Sequence, residues 1–233
     1  MEHRKNEAME TQACQDNSHA ALEFTIPNPD CLQCRKYEEY KKSAEQSRSH
    51  YQADAQKDWP EDWSVRSVDM QKVIMLTRMR GVKTALFTRI VAYHETFAIM
   101  GKKSQRKKKT ISVVWHEGTA GRKAEEITSS YVTALERERD VKHAGYWVDN
   151  CTSQNKNWCL LTSLVSVVNA DSTLMEDITL KFLEPGHTFM SADSFHHGVE
   201  QEMKARPGGV VYDFGDFLHV AATSNAGKST EEH

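Results

Sequence analysis

The stretch from Tyr146 to Trp158, which reads YWVDNCTSQNKNW, constrains the fold more than any other part of the chain. A short apolar run ends there at Asp149, and a polar cluster then leads into the apolar segment 158–168. This order predicts a buried strand that ends in a carboxylate, a capped turn and a helix. Because ligands and catalytic groups collect at the carboxyl ends of strands in open α/β sheets, Asp149 is the centre of the expected site.

Composition and charge argue against several classes of protein. The 233 residues carry a net charge of -3, so a DNA-binding role has to rest on local clusters of basic residues. No apolar run approaches the roughly 18 residues that cross a bilayer, and the polar N-terminus lacks the apolar core of a signal peptide. We therefore expect a nuclear or cytoplasmic protein that is neither secreted nor embedded in a membrane, and leave homo-oligomerisation open.

The pattern along the chain divides it into four segments. Residues 1–22 are polar and unpatterned, which predicts disorder. Residues 23–62 contain a pair of cysteines and a charged, solvated helix from Arg35 to about Gln56, after which Pro60 breaks the helical pattern. Residues 63–220 form the expected folded domain, and residues 221–233 read as a disordered tail.

Within the folded domain the expected order is three strands, and then alternating helices and strands. The expected strands are 65–76, 85–100, 111–115, 146–148 and 177–183, and the expected helices are 122–140, 158–168 and 191–206. Segment 85–100 is long enough for a helix, but its β-branched residues favour a strand; 79–84 is a turn, and 210–220 a short strand or loop. This order predicts the RNase H-like α/β fold, a mixed five-stranded sheet with flanking helices whose first and fourth strands are parallel neighbours.

Three aspartates occupy positions at which that fold brings carboxylates together. Asp69 lies in the first expected strand, Asp149 at the end of the fourth, and Asp193 at the start of the last helix. Cleavage of a phosphodiester by two divalent ions about 3.5–4 Å apart needs such hard oxygen ligands. The sequence therefore predicts a two-ion site for Mg²⁺ or Mn²⁺, with Glu126 and Glu200 as further candidates. The aspartates also fit structural roles in a strand end, an Asx turn and a helix cap.

Two longer motifs resemble a known family. Residues 149–157, DNCTSQNKN, resemble the D-N-C-x-x-Q-N-K-N signature of a poorly characterised domain family of animal genomes, related to transposon-encoded, RNase H-like (DDE-type) nucleases. Residues 186–200 are similar to its G-H-T-x-M-x-x-D-S-x-H-x-x-[IV]-E run, and 68–72 to its F-D-L-Q-K strand. The resemblance spans about residues 30–218. It implies a transposon-derived, divalent-metal-dependent nuclease or DNA strand-transfer domain, with DNA as partner.

A non-enzymatic function is the alternative. A domesticated transposon gene can keep its fold without its activity, as a catalytically inactive module that binds nucleic acid or protein. In the enzymatic interpretation, Gln154 and Asn155 support the metal-binding carboxylates, and His187, which is preferred to His196 and His197, positions water.

The segment 102–109 is a basic loop, since six of its eight residues are positively charged. Such a loop can contact phosphates in a salt-sensitive way or serve as a nuclear-import signal, and it can equally be a solvated surface loop. The candidate nucleic-acid-binding residues are Lys102, Lys103, Arg106, Lys107, Lys108 and Lys109.

Cys31 and Cys34 have the C-x2-C spacing of half a zinc site. A structural zinc ion needs four ligands, and no further pair stands at a compelling spacing, so two reduced thiols at the start of a helix are the preferred interpretation. The five cysteines of the chain, in the absence of a signal peptide, argue against disulfides.

Overall fold

The computed structural model describes residues 32–78, 89–102, 108–186, 189–224 and 230–232. Its strands are β1 (Trp63–Met70), β2 (Ile74–Leu76), β3 (Ile90–Ile99), β4 (Thr110–His116), β5 (His143–Val148), β6 (Asp177–Phe182) and β7 (Thr230–Glu232). Its helices are α1 (Leu32–Gln56), α2 (Ala124–Glu136), α3 (Thr152–Asn155), α4 (Trp158–Val168), α5 (Ser191–Ala205) and α6 (Phe214–Thr223), with a 3-10 turn at Pro207–Gly209.

The described strands form one mixed sheet in the order β6-β5-β1-β3-β4-β7, and β2 pairs with β3. Strand β1 is antiparallel to β3 and parallel to β5, and β5 is parallel to β6. This is a mixed α/β architecture consistent with the predicted RNase H-like fold. The two strands that lead to Asp69 and Asp149 are parallel neighbours, as the element order predicted. The sheet exceeds the expected five strands because the short strands β2 and β7 join it.

Helices cover both faces of the sheet. On one face, α2 and α4 bury Ile127, Tyr131 and Leu160 against Phe97 and Tyr146. On the other face, α5 and α6 bury a second apolar cluster against β2 and β3. Each large apolar side chain so buried contributes about 1.5–3 kcal/mol to stability. Burial of the sheet on both faces explains why the segments of β3 and β5 are rich in apolar residues.

The charged helix α1 packs on the sheet through its carboxyl-terminal half. Tyr51 and Trp59 are buried in a third apolar cluster with Trp147 of β5. The carboxylate of Asp54 accepts a hydrogen bond of 2.9 Å from Trp147 Nε1 and lies 2.6 Å from Lys181 Nζ. The segment that carries Cys34 is therefore attached to the same core as the strands. None of the described helices combines the length and apolar character that a membrane span requires.

Several boundaries differ from the sequence-based expectation. The preferred strand over 85–100 is confirmed as β3 in its described part, whereas 65–76 divides into β1 and β2. The expected strand or loop over 210–220 is wrong: α6 forms there, and the Asp213 carboxylate caps it by accepting from Asp216 N–H at 2.8 Å. The prediction of a disordered tail over 221–233 is also wrong in two places, since α6 continues to Thr223 and β7 pairs with β4. Residues 1–22 and the turn at 79–84 lie outside the described residues.

Candidate metal centre

Asp69, Asp193 and His196 form a group that could hold a metal ion. Each offers one ligand atom, and these atoms lie within 4.8 Å of one another. Asp69 lies near the end of β1, while Asp193 and His196 are three residues apart on α5 and so share a helix face. Two carboxylates and an imidazole are a donor set that suits a divalent cation.

The start of α5 is held over β1 by hydrogen bonds to its first backbone N–H groups. Ala192 N–H donates to Ser67 Oγ at 3.0 Å, and Ser191 N–H donates to Tyr51 OH at 2.7 Å. Asp193 Oδ2 accepts from Met190 N–H at 2.7 Å, so Met190 is the N-cap residue and Asp193 supports the cap from the first turn of the helix. One Asp193 oxygen thus orients the side chain at the helix start. These contacts place Asp193 beside Asp69.

Negative charge accumulates around Asp69. The pKa of Asp69 is raised to about 7, mainly by burial and then by the negative charges of the nearby Asp193 and Asp149. The N–H of Met70 and the guanidinium of Arg122 act in the opposite direction. The three aspartates predicted from sequence are therefore close enough to affect one another, and a bound cation would relieve their repulsion.

Asp149 is held in place by the turn after β5. Its Oδ1 atom accepts from Cys151 N–H at 3.2 Å and from Asn155 Nδ2 at 2.5 Å. The Asn155 carbonyl oxygen in turn accepts from Tyr131 OH at 3.0 Å. Asn155 is buried, and its hydrogen bond orients the Asp149 carboxylate, as predicted for a supporting residue. Gln154 does not support the carboxylate in this way, since its described hydrogen bonds involve only its backbone.

Sequence reasoning missed Glu95, which lies on β3 and is buried. Burial raises its pKa to about 8, with further contributions from the charges of Asp69 and Asp149, while Ser130 Oγ donates to it at 3.3 Å. Glu95 faces α2, because it is paired with Met70 and so lies on the opposite face from Asp69 and its partner Thr96. A lone acid within the apolar run 90–99 was the signal that could have identified it.

From the sequence, His196 is a candidate for positioning water at the site, but His187 is preferred to it. The signal for His196 was the spacing from Asp193, three residues along a predicted helix. The preferred histidine, His187, lies outside the described residues.

Two further predicted acids are not brought to the metal centre. Glu126 instead caps α2, since its carboxylate accepts from Gly121 N–H at 3.2 Å and from Lys123 N–H at 2.8 Å. Glu200 lies beyond His196 on α5, where its carboxylate is 3.9 Å from Lys204 Nζ and about half exposed. Both carboxylates are therefore engaged in the local structure of helices.

The basic loop is only partly described, since Lys103, Arg106 and Lys107 lie outside the described residues. Lys108 does not fit the predicted phosphate contact: its ammonium group donates to the carbonyl oxygen of Trp63, and burial lowers its pKa. Lys102 and Lys109 are exposed.

The predicted zinc half-site cannot be assembled from the described residues, because Cys31 lies outside them. Cys34 is buried, Cys151 and Cys159 are partly exposed, and none of these three cysteines forms a disulfide.

No family model matches this chain, and neither a curated protein nor a solved structure matches it. Function is therefore inferred from the site itself.

Proposed function

We propose that this chain is a transposon-derived, divalent-metal-dependent nuclease or DNA strand-transfer domain. The observation that carries the proposal is the convergence of three aspartates: Asp69 and Asp149 lie at the carboxyl ends of two parallel neighbouring strands, and Asp193 approaches them from the start of α5. Such a cluster is costly without a cation, since burial and mutual repulsion already raise the pKa of Asp69 to about 7. The family resemblance of residues 149–157 and 186–200 supports DNA as the substrate.

Asp69, Asp193 and His196 would hold an ion, and Asp149 would contribute to the same centre. Divalent ions bound there would stabilise the charge that develops on the transferred phosphoryl group. The protein would supply the orientation of its ligands: Asn155 and the Cys151 N–H limit the rotation of Asp149, and the Met190 N–H does the same for Asp193. This preorganisation lowers the cost of assembling the centre.

Arg122 fits a role in binding the DNA backbone. Its guanidinium is exposed and lies near enough to lower the pKa of both Asp69 and Glu95. A planar guanidinium beside a metal centre can pair with a phosphate through two hydrogen bonds. It would hold the scissile phosphate or its neighbour against the aspartates.

Cleavage of a labelled DNA duplex and joining of a 3′-hydroxyl end, each with Mg²⁺ or Mn²⁺, test the proposal. Asp149→Asn should lower the rate about 100-fold or more, because a neutral amide replaces a charged oxygen ligand. Asp171→Asn is the matched control, since Asp171 is an exposed acid in a surface turn, and it should cut like the wild type. If the wild type cuts no better than Asp149→Asn, the catalytic proposal is wrong.

The alternative is a catalytically inactive module that binds DNA. The observation that favours it is the exposure of Lys102 and Lys109, which lets both side chains reach a phosphate backbone. Substituting both with Ala should weaken DNA binding and reduce the slope of log affinity against log salt by about 1.8, from about 0.9 per phosphate contact. Lys108→Ala is the control, because the ammonium group of Lys108 donates to the carbonyl oxygen of Trp63 and should contribute less to DNA binding. Salt-sensitive binding without cleavage in any divalent ion would favour the inactive module.

A further inference from the structure

The two ring nitrogens of His196 face different surroundings. Nε2 lies 3.0 Å from Thr96 Oγ1, which is a hydrogen-bond distance. Nδ1 lies 3.6 Å from Asp69 Oδ2, which is too far for a hydrogen bond. The side chain is 9% exposed. Among the described residues, the hydrogen bonds of this ring therefore use Nε2 alone, and Nδ1 points at the carboxylate of Asp69.

A buried polar network behind His196 indicates where its proton resides. Gln71 Nε2 donates to the backbone carbonyl oxygen of His196 at 3.5 Å, so the amide oxygen of Gln71 is the atom that faces His94. His94 Nδ1, 2.7 Å from this oxygen, must then carry a hydrogen. His94 is fully buried without a carboxylate partner among its described hydrogen bonds, so its ring is neutral and Nε2 is an acceptor.

The acceptor nitrogen of His94 can receive a hydrogen from either of two hydroxyl groups. The hydroxyls of Thr96 and Ser112 both lie within hydrogen-bond distance of it, Thr96 Oγ1 at 3.1 Å. If Thr96 donates to His94, its lone pairs face His196, and His196 Nε2 must carry the ring hydrogen. The 3.6 Å gap supports this direction, because a hydrogen on Nδ1 would draw the Asp69 oxygen to about 2.8 Å.

His196 thus presents a bare Nδ1 lone pair to an oxygen of Asp69. A cation between the two atoms would fit this arrangement, since 3.6 Å is too long for a hydrogen shared between them. Ligands about 2.0–2.2 Å from a common ion lie about 2.8–3.6 Å apart in octahedral or tetrahedral geometry. The observed 3.6 Å between Nδ1 and Oδ2 lies at the upper end of this range.

From this geometry we propose that His196 Nδ1 is a metal ligand and that the centre selects a first-row transition ion, of the Mn²⁺ to Zn²⁺ series, over Mg²⁺. The inference rests on the metal centre of the proposed function and specifies which ions it takes. Imidazole nitrogen binds borderline transition ions well, whereas Mg²⁺ takes oxygen ligands almost exclusively. Thr96, His94 and Gln71 act as positioning residues that keep Nδ1 free of hydrogen.

Mn²⁺ is the probe, and the full chain is the sample. Competition between Mn²⁺ and Mg²⁺, monitored by the electron spin resonance of free Mn²⁺, should give at least tenfold tighter binding of Mn²⁺. Spin-echo modulation from bound Mn²⁺ should report a directly coordinated imidazole nitrogen. His196→Gln should abolish this modulation, and His197→Gln, which changes the exposed neighbour on the same helix, should keep it.

Thr96→Val tests the network without touching a ligand. It removes the hydroxyl that accepts from His196 Nε2 and keeps the side-chain shape, so Mn²⁺ affinity should fall 10–100-fold; Thr96→Ser should restore it. A direct readout that needs no variant is the long-range proton–nitrogen spectrum of the histidine rings in the metal-free protein. The ring of His196 should carry its hydrogen on Nε2.

The outcomes separate this inference from the proposed function. A Mn²⁺ preference below tenfold, imidazole modulation that persists in His196→Gln, or a hydrogen on Nδ1 would each overturn the inference, even if DNA is cut. Failure of the wild type to bind either ion would overturn both. Mn²⁺ coordination by His196 without DNA cleavage would support the inference while the catalytic proposal fails.

Discussion

Asn155 donates a hydrogen bond of 2.5 Å to the carboxylate of Asp149, and it is itself held by Tyr131, whose hydroxyl donates to its carbonyl oxygen at 3.0 Å. These two bonds connect the end of β5 to α3 and α2. The orientation of Asp149 is therefore coupled to the packing of α2 on the sheet. In metal sites the loss of such a supporting hydrogen bond typically lowers metal affinity by about 10–100-fold.

Removing this support should weaken metal binding while leaving the fold intact. We expect Asn155→Ala to lower Mn²⁺ affinity 10–100-fold, because Asp149 then gains rotational freedom. Tyr131→Phe should have a smaller effect in the same direction. Calorimetric titration measures both, with Ser153→Ala, an exposed position of the same turn, as the control. Wild-type affinity in Asn155→Ala would show that Asp149 is not a ligand.

The free energy of unfolding of the metal-free protein should fall as the pH rises from about 7 to 9. Burial raises the pKa of Asp69 to about 7 and that of Glu95 to about 8, so the native state binds more protons in this range than the unfolded chain does. Each group can contribute up to about 1.4 kcal/mol per pH unit within its window. Below about pH 7 the two buried histidines oppose this fall, because burial lowers the pKa of His94 and lowers that of His196 to about 4. Urea denaturation in EDTA measures this slope.

Glu95→Gln should remove much of that pH dependence, because a buried amide does not ionise. The variant should gain stability relative to the wild type above pH 7, and Glu117→Gln, at the surface turn after β4, should leave the slope unchanged. A slope in Glu95→Gln equal to that of the wild type would mean that Glu95 is not protonated in the native protein.

The buried pair of Arg66 and Glu138 should tolerate joint replacement better than the loss of one partner. The pair is 2.7 Å apart with side chains 2% and 5% exposed, and Arg66 also donates to the carbonyl oxygen of Phe97 at 2.8 Å. Glu138→Leu alone should cost about 3–5 kcal/mol, since it leaves a buried guanidinium unpaired.

The double variant Arg66→Met and Glu138→Leu should recover a large part of this loss. Glu176→Gln is the control, because its pair with Lys142 is exposed and should contribute little. Additive effects of the two buried substitutions in denaturant titrations would contradict the prediction.

The N-cap of α4 should contribute to the stability of the fold without affecting metal binding. Asn157 Oδ1 accepts from Leu160 N–H at 2.9 Å, so Asn157→Ala should cost about 1 kcal/mol and leave metal affinity unchanged. Ser166→Ala within the same helix should change stability by less than about 0.5 kcal/mol. Thermal unfolding measures both. A large loss of metal affinity in Asn157→Ala would mean that the turn after β5 depends on this cap.

Much of the architecture was predictable because strand and helix patterns are local. The period of apolar residues located β3, β4, β5, α2 and α4 to within a few residues. The order of these elements then predicted that β1 and β5 are parallel neighbours, and with it the approach of Asp69 to Asp149. Helix α6 was missed because Pro207 and the glycines after it suggested that regular structure ended there.

The sequence by itself determined which segments are strands and helices and where the polar turn after β5 lies, because these depend on neighbours a few residues apart. The tertiary structure alone decided which acids and histidines meet. Hydrogen bonds between residues distant in the chain, such as Ala192 N–H to Ser67 Oγ, hold α5 over β1 and bring His196 to Asp69. The same folding directs Glu126 to a helix cap and buries Glu95, since side-chain environment depends on packing rather than on residue type.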